Sequence, residues 1–190
     1  MTRDDIMQVF YDSQAILKGH FQLTSGKHAN QYMQCAQVLK YPEKAALLIS
    51  ELKSKLTGRY DLVVGPAIGG ILVAYEMARQ LGVPTLFTER ENGKMSLRRG
   101  FQIEPGQRVL VVEDVITTGG SVQEAIDCVR EAGGIVDEAA VLVDRSGGKH
   151  VLQVPVTSLL EIQLTTYDPE DCPMCANSKA VKPGSRNLTI

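Results

Sequence analysis

Val109-Leu110-Val111-Val112-Glu113-Asp114-Val115-Ile116-Thr117-Thr118-Gly119-Gly120-Ser121 is the stretch that decides the fold. Four apolar residues run into two adjacent carboxylates, then a small hydroxyl- and glycine-rich turn, then an amphipathic helical pattern. Residues 109–112 read as a strand buried on both faces, the kind found in parallel sheets. Two acids at the end of such a strand are costly unless they bind something. The turn offers the hydroxyls of Thr117, Thr118 and Ser121 and the backbone N–H groups of Gly119 and Gly120 at a helix N-terminus. Orphan donors and the helix dipole stabilise a phosphate there. Glu113 and Asp114 suit the hydroxyls of a ribose, so the whole describes a pocket for a ribose 5-phosphate. The competing reading is a plain acidic N-cap region of an α/β protein.

Working outward, strands alternate with helices. Residues 61–64, 85–89, 109–113 and 139–144 read as strands, and 71–81 and 121–132 as helices. The alternation predicts βαβ crossovers and a mostly parallel sheet, with ligands gathering at the carboxyl ends of the strands. The loops 65–70, 89–100, 113–121 and 144–149 all follow strands and so converge on one edge. Upstream, residues 4–17 carry Ile6, Val9, Phe10, Ile16 and Leu17 at helical spacing, predicting an amphipathic helix ended by Gly19. Residues 31–38 alternate like a strand, and Pro42 opens a second helix closed by Gly58. The tail from residue 168 on is expected to be irregular or partly ordered.

Gly65-Pro66-Ala67-Ile68-Gly69-Gly70 lies between a strand and a helix. Its glycines let the backbone approach an anion closely. Arg90-Glu91-Asn92-Gly93-Lys94-Met95-Ser96-Leu97-Arg98-Arg99-Gly100 is long and charged, and it is either a mobile lid or a solvated hairpin.

At 190 residues the chain holds one domain with a proper core. A net charge of −2 gives no basic stripe, so neither nucleic acid nor a membrane surface is an expected partner. No apolar run approaches the ~20 residues that cross a bilayer. Met1-Thr2-Arg3-Asp4-Asp5 is acidic and leads into a helical pattern, unlike a secretory signal. The expected compartment is the cytoplasm. Of four cysteines, Cys35 and Cys128 sit in apolar patterns and read as buried small hydrophobes. Cys172-Pro173-Met174-Cys175 has three readings: reduced and inert, a redox pair, or half of a zinc site completed by another element or subunit.

The 109–121 stretch resembles the phosphoribosyl-pyrophosphate (PRPP) signature of the type I phosphoribosyltransferases. That resemblance implies an α/β fold: a mostly parallel twisted sheet flanked by helices, with a small N-terminal hood. It assigns Glu113 and Asp114 to the ribose hydroxyls and residues 117–121 to the 5-phosphate. Loop 65–70, through Ala67 and Gly69, is assigned to the pyrophosphate, and Asp114 stands beside the reacting centre. Phe21-Gln22-Leu23-Thr24-Ser25-Gly26-Lys27-His28-Ala29-Asn30-Gln31-Tyr32 resembles the hood of the orotate phosphoribosyltransferases, and Val143-Asp144-Arg145 resembles their orotate-binding strand end. A guanidinium fork matches the carboxylate of orotate. Ser25, Lys27, Tyr32, Arg145 and Thr117 are thereby expected at the base. The transition state is stabilised by cations over the leaving pyrophosphate and by exclusion of water. Lys94 is the candidate catalytic lysine, with Arg90 on PRPP and Arg98 and Arg99 as further lid cations.

The resemblance covers residues 1–165 as one phosphoribosyltransferase domain, with a hood mainly within 1–40, a PRPP-binding core at about 41–150 and a C-terminal extension at 166–190. It is closest to a short bacterial and archaeal branch carrying Thr88-Glu89-Arg90-Glu91 and Leu97-Arg98-Arg99-Gly100-Phe101, and ending in Cys172-Pro173-Met174-Cys175 and Lys182-Pro183-Gly184-Ser185-Arg186. The better-known branch has lysines where this chain has Thr24 and Ile68-Gly69, and Arg98 and Arg99 are expected to replace that charge. Mg²⁺ bound mainly through PRPP and a homodimer whose lids reach over the neighbouring site are also implied. A purine phosphoribosyltransferase and a non-catalytic PRPP-sensing regulator of the same fold are the competing functions.

Overall fold

The computed structural model describes residues 1–23 and 25–183. Thr24 and the Gly184-Ser185-Arg186 end of the C-terminal motif lie outside the described residues. Two sheets are present. The larger contains β3 (Leu62–Pro66), β4 (Thr85–Glu91), β5 (Lys94–Leu97), β6 (Val109–Ile116), β7 (Ala139–Asp144) and β8 (Val156–Glu161). Their order is β5-β4-β3-β6-β7-β8, parallel throughout except that β5 returns antiparallel along β4. β1 (Ile16–Gln22), β2 (His28–Met33) and β9 (Thr166–Tyr167) form a separate antiparallel hood sheet.

The large sheet is buried on both faces, as the apolar run at 109–112 predicts. Leu110 and Val112 point into one apolar cluster and Val109 and Val111 into the other, all four at most 2 % exposed. The first cluster is closed by α3 (Pro42–Lys53) and α4 (Gly69–Leu81), through Leu48, Ile49, Leu52, Val73 and Met77. The second is closed by α5 (Gly120–Glu131), through Val122, Ala125, Ile126 and Val129. Each strand thus needs apolar side chains at consecutive positions, which produces an unbroken run rather than an alternation.

The first helix is shorter than its periodicity predicts. α1 covers Arg3–Asp12, and Ile16 and Leu17 belong to β1. Thr2 and Asp5 form a capping box at its start. At its end the Ser13 hydroxyl donates to the Val9 and Phe10 carbonyls, and Gln14 takes a left-handed φ of 57°. Ala15 then returns its N–H to Phe10 at 2.9 Å. A serine able to bond back to the helix carbonyls and a left-handed residue stop the helix, although the apolar spacing continues. Residues 36–39 form a short α2 (Ala36–Leu39) where a continued strand is predicted. β2 already ends at Met33, with Gln34 N–H bonded back to the Ala15 carbonyl.

Candidate active site

Strand order fixes where a ligand binds. The chain passes from β3 outward to β4 on one side, while β6 lies on the other side of β3 and leads on to β7 and β8. The β3/β6 boundary is therefore the point at which the winding reverses, and ligands of open parallel sheets bind outside the strand ends there. The two loops at that boundary are 66–70 and 113–121. The helices that follow them, α4 and α5, both begin without a side-chain cap, whereas α1 has one. Their first N–H groups are thus available to an anion.

The two loops touch. A Cβ built on Gly69 would lie 2.6 Å from the Asp114 carboxylate, so only glycine lets the 66–70 backbone approach the acid this closely. Glu113 is 9 % exposed and accepts from the Asp114 N–H at 3.0 Å, and Asp114 accepts from the Val115 N–H at 2.8 Å. Burial, followed by the neighbouring Asp114 charge, pushes the Glu113 carboxyl well above the usual carboxylate range. Burial also raises Asp114. Two carboxyls held this close do not both ionise readily until a hydroxyl donor or a cation arrives.

In the turn after β6, Thr117, Thr118 and Ser121 are exposed, and Gly119 has φ of 81°. A side chain at Gly119 would be strained, and its Cβ would also lie 3.0 Å from Leu152. The turn and Glu113 line a cavity of about 90 Å³. Val151 N–H bonds the Thr118 carbonyl at 2.9 Å and backs the turn with residues 150–152. His150 stands beside Gly119 with a buried Nδ1 that has no partner among the described residues, a polar group missed by sequence reasoning.

Arg145 follows β7 at the same edge, its N–H bonded to the Ile116 carbonyl at 2.9 Å. It is half-buried, its Nε has no partner among the described residues, and burial lowers its pKa. Its charged-state neighbours are Cys35 and Tyr32, and Cys35 in turn lies 3.8 Å from the Asp114 carbonyl. Hood, β7 end and acidic pair therefore meet. Tyr32 packs on Phe21 with ring centroids 5.8 Å apart, Ser25 is exposed on the hairpin turn, and Lys27 lies 3.3 Å from Asp168. Cys35 is buried, as the apolar pattern predicts.

The charged segment 90–100 is a hairpin rather than an irregular loop. β4 and β5 pair from Thr88↔Leu97 to Glu91↔Lys94 around Asn92-Gly93, whose φ values of 52° and 83° suit a primed two-residue turn. Met95 is buried against the body. Arg90 reaches Glu124 at 2.7 Å, Lys94 reaches Glu131 at 3.8 Å, and Arg98 and Arg99 both pair with Glu89. Glu131 ends α5, about 16 Å along the helix axis from Gly120. Lys94 therefore stands at the far end of α5 from the phosphate turn of its own chain.

The sequence model described as Phosphoribosyl transferase domain matches residues 36–174. The orotate phosphoribosyltransferase of Pelotomaculum thermopropionicum is 57 % identical over 190 residues, covering 99 % of this chain and 100 % of its own length. That of Desulforamulus reducens is 56 % identical over 191 residues, with 100 % of both chains covered. The chain belongs to the orotate phosphoribosyltransferase family. The crystal structure of the Aeropyrum pernix orotate phosphoribosyltransferase superimposes with a TM-score of 0.70 at 27 % identity, covering 83 % of this chain and 93 % of that one.

As an orotate phosphoribosyltransferase fold, the molecule has the sheet, crossovers and hood that the sequence predicts. It brings Ala67, Gly69, Glu113, Asp114 and residues 117–121 to one crevice, with Arg145 and Tyr32 beside it. It keeps Lys94 away from that crevice within one chain. Cys172 and Cys175 are both unpaired and lie in the hood beside His20 and His28. Neither histidine is singled out by the sequence, because nothing local marks two histidines eight residues apart as neighbours of cysteines some 150 residues later. No described helix is long and apolar enough to cross a membrane.

Proposed function

We infer that the protein transfers the phosphoribosyl group of PRPP to N1 of orotate, releasing pyrophosphate and orotidine 5′-monophosphate with inversion at the anomeric carbon. The observation that carries this reading is the contact of the glycine loop at the β3 end with the buried acidic pair at the β6 end, in a chain matching orotate enzymes along its whole length. The N–H groups of residues 117–121 hold the 5-phosphate, and the backbone of 66–70 holds the pyrophosphate. Asp114 and Glu113 accept from the ribose hydroxyls. As the ribosyl carbon loses its leaving group it becomes cationic, and the carboxylates below it ionise fully and stabilise it. Arg145 takes the orotate carboxylate, Tyr32 covers the ring, and Ser25 and Lys27 border it.

The site suits a Mg²⁺ that arrives on the substrate. It has one carboxylate pair, and the described cluster of three or more convergent metal-ligating side chains lies in the hood instead. Asp114 and Glu113 would hold the ion through the ribose hydroxyls and water. When bound, it neutralises charge on the leaving pyrophosphate.

The lid is assigned to a neighbouring subunit. Lys94 points along α5 away from its own phosphate turn, which supports a homodimer in which each hairpin supplies Lys94, Arg98 and Arg99 to its partner's pyrophosphate. A cytoplasmic location accords with this chemistry. The test is competition: PRPP, Mg²⁺ and equal concentrations of orotate, adenine, hypoxanthine and xanthine are incubated with the enzyme, and nucleotides are separated. Orotidine 5′-monophosphate as the sole product is expected. A purine nucleotide as the main product would overturn the acceptor, and no nucleotide at all would point to a sensor.

A further inference from the structure

The C-terminal cysteines have the partners that the sequence did not supply. His20 Nε2 lies 3.5 Å from Cys172 Sγ and 3.8 Å from Cys175 Sγ, and His28 Nδ1 lies 3.3 Å from Cys175 Sγ. The two ring nitrogens are 2.8 Å apart, and all four atoms fall within 4.8 Å of one another. We propose that His20, His28, Cys172 and Cys175 form a structural Zn²⁺ site that fastens the C-terminal extension to the hood.

Three observations carry this. The first is size. With Zn–N near 2.0–2.1 Å and Zn–S near 2.3 Å, the edges of a tetrahedron are about 3.4 Å for N···N, 3.5 Å for S···N and 3.8 Å for S···S. The three short S···N separations of 3.3, 3.5 and 3.8 Å bracket that edge. To admit an ion the imidazole pair must open by about half an ångström, and the widest pair, within 4.8 Å, must close by up to about one. The second is the tautomer. His20 Nδ1 faces the Ser178 carbonyl oxygen at 3.0 Å, an acceptor only, so Nδ1 carries the proton and donates it. Its Nε2 is left with a lone pair aimed at the two sulfurs and His28. A metal-bound histidine is oriented in this way, with its distal N–H on a backbone carbonyl. The third is charge at a largely buried spot, with Cys175 at its exposed edge. His20, His28 and Cys172 are 6–8 % exposed. Two thiolates and two neutral imidazoles balance a 2+ ion, which removes the penalty of burying either alone. Four protein ligands leave no open position, so the site is structural.

The backbone around the cluster is already arranged for this. Cys175 N–H turns back to the Cys172 carbonyl at 3.1 Å, placing both sulfurs on one side of the Pro173-Met174 turn. Beyond it Val181 brackets the first ligand strand, donating to His20 and accepting from Gln22, each at 2.8 Å. β9 pairs with β2 at His28↔Tyr167. The extension thus grips both hood strands, and the ion sits where it crosses them. The cluster stands apart from the acceptor and from every step of catalysis.

The test uses the full untagged chain, purified under reducing conditions. One equivalent of zinc retained through gel filtration is expected, with Cys172 and Cys175 protected from thiol reagents until a chelator is added. Replacement by Co²⁺ should give the strong visible bands of a tetrahedral ion together with a thiolate charge-transfer band. Removal of the metal should lower the melting midpoint by roughly 10 °C. Cys175→Ser and His28→Ala should each abolish or sharply weaken retention. Because a variant can fail to fold, the wild-type cobalt spectrum and thiol protection decide independently. Cys172 and Cys175 reacting with thiol reagents as fast with zinc as with a chelator, a Cys172–Cys175 disulfide in protein kept under reductant, or a cobalt spectrum without thiolate bands would each overturn the site.

Discussion

Glu113 and Asp114 are where the chemistry of single residues is most exposed to test. Burial and the adjacent Asp114 charge raise the Glu113 carboxyl in the folded protein. The native state therefore binds a proton that the unfolded chain, with a carboxyl near 4.5, has already released. The sign follows: this stabilisation is present in full below pH 4.5 and is lost as pH rises above it. Ligand-free Glu113→Gln should accordingly show a flatter fall in melting temperature with rising pH than the wild type, measured by calorimetry across the series. Parallel curves would show that Glu113 is not held protonated. At Arg145 the prediction is selective. Arg145→Ala should raise KM for orotate about ten- to a hundred-fold, the worth of a charged hydrogen bond, with KM for PRPP within about twofold. Equal effects on both substrates would remove Arg145 from the base site. The acidic pair was readable from the sequence because strand, acids and turn are contiguous. His20, His28 and His150 were not, since each acquires its meaning only from a segment distant in the chain.

Among elements, the β3–α4 turn makes the sharpest claim. Gly69→Ala would place a methyl 2.6 Å from the Asp114 carboxylate and force loop and acid apart. Overpacking of this kind costs about 1–3 kcal/mol. A drop of at least about tenfold in kcat/KM for PRPP is expected, with a melting temperature lowered by only several degrees; unaltered PRPP kinetics would mean that the close approach is incidental. The elements also show where periodicity misleads. Ile16 and Leu17 extend the helical spacing of residues 6–10, but the Ser13 hydroxyl and the left-handed Gln14 end the helix, a local competition that apolar pattern does not register. In the charged segment, Asn92-Gly93 is a hairpin signal in its own right. Length and charge alone leave the segment open between a lid and a hairpin, and the strand pairs around Asn92-Gly93 make it a hairpin.

For the whole molecule, the parallel sheet and its ligand edge follow from the alternation of apolar runs and amphipathic helices, so the architecture was legible before the structure. Which lid serves which site is relational: it is implied by the family resemblance and by no residue pattern of the chain itself. Lys94 at the far end of α5 predicts a division of labour between subunits. Mixed dimers of Lys94→Ala and Asp114→Asn chains should regain turnover that neither variant shows alone, because one of their two sites has both intact groups. No gain on mixing, with dimers shown to exchange, would return Lys94 to its own site. Whether the acids ending β6 bind the ribose of PRPP in an orotate transferase is read by following orotate consumption against PRPP concentration, with Mg²⁺, in wild type and Asp114→Asn. Asparagine keeps an oxygen for the Val115 N–H, so the fold should hold. The wild type should consume orotate in a PRPP-dependent way, and kcat/KM for PRPP should fall about ten- to a hundred-fold in the folded variant. Identical PRPP curves for the two proteins, or no consumption of orotate by either, would contradict that role for the acids.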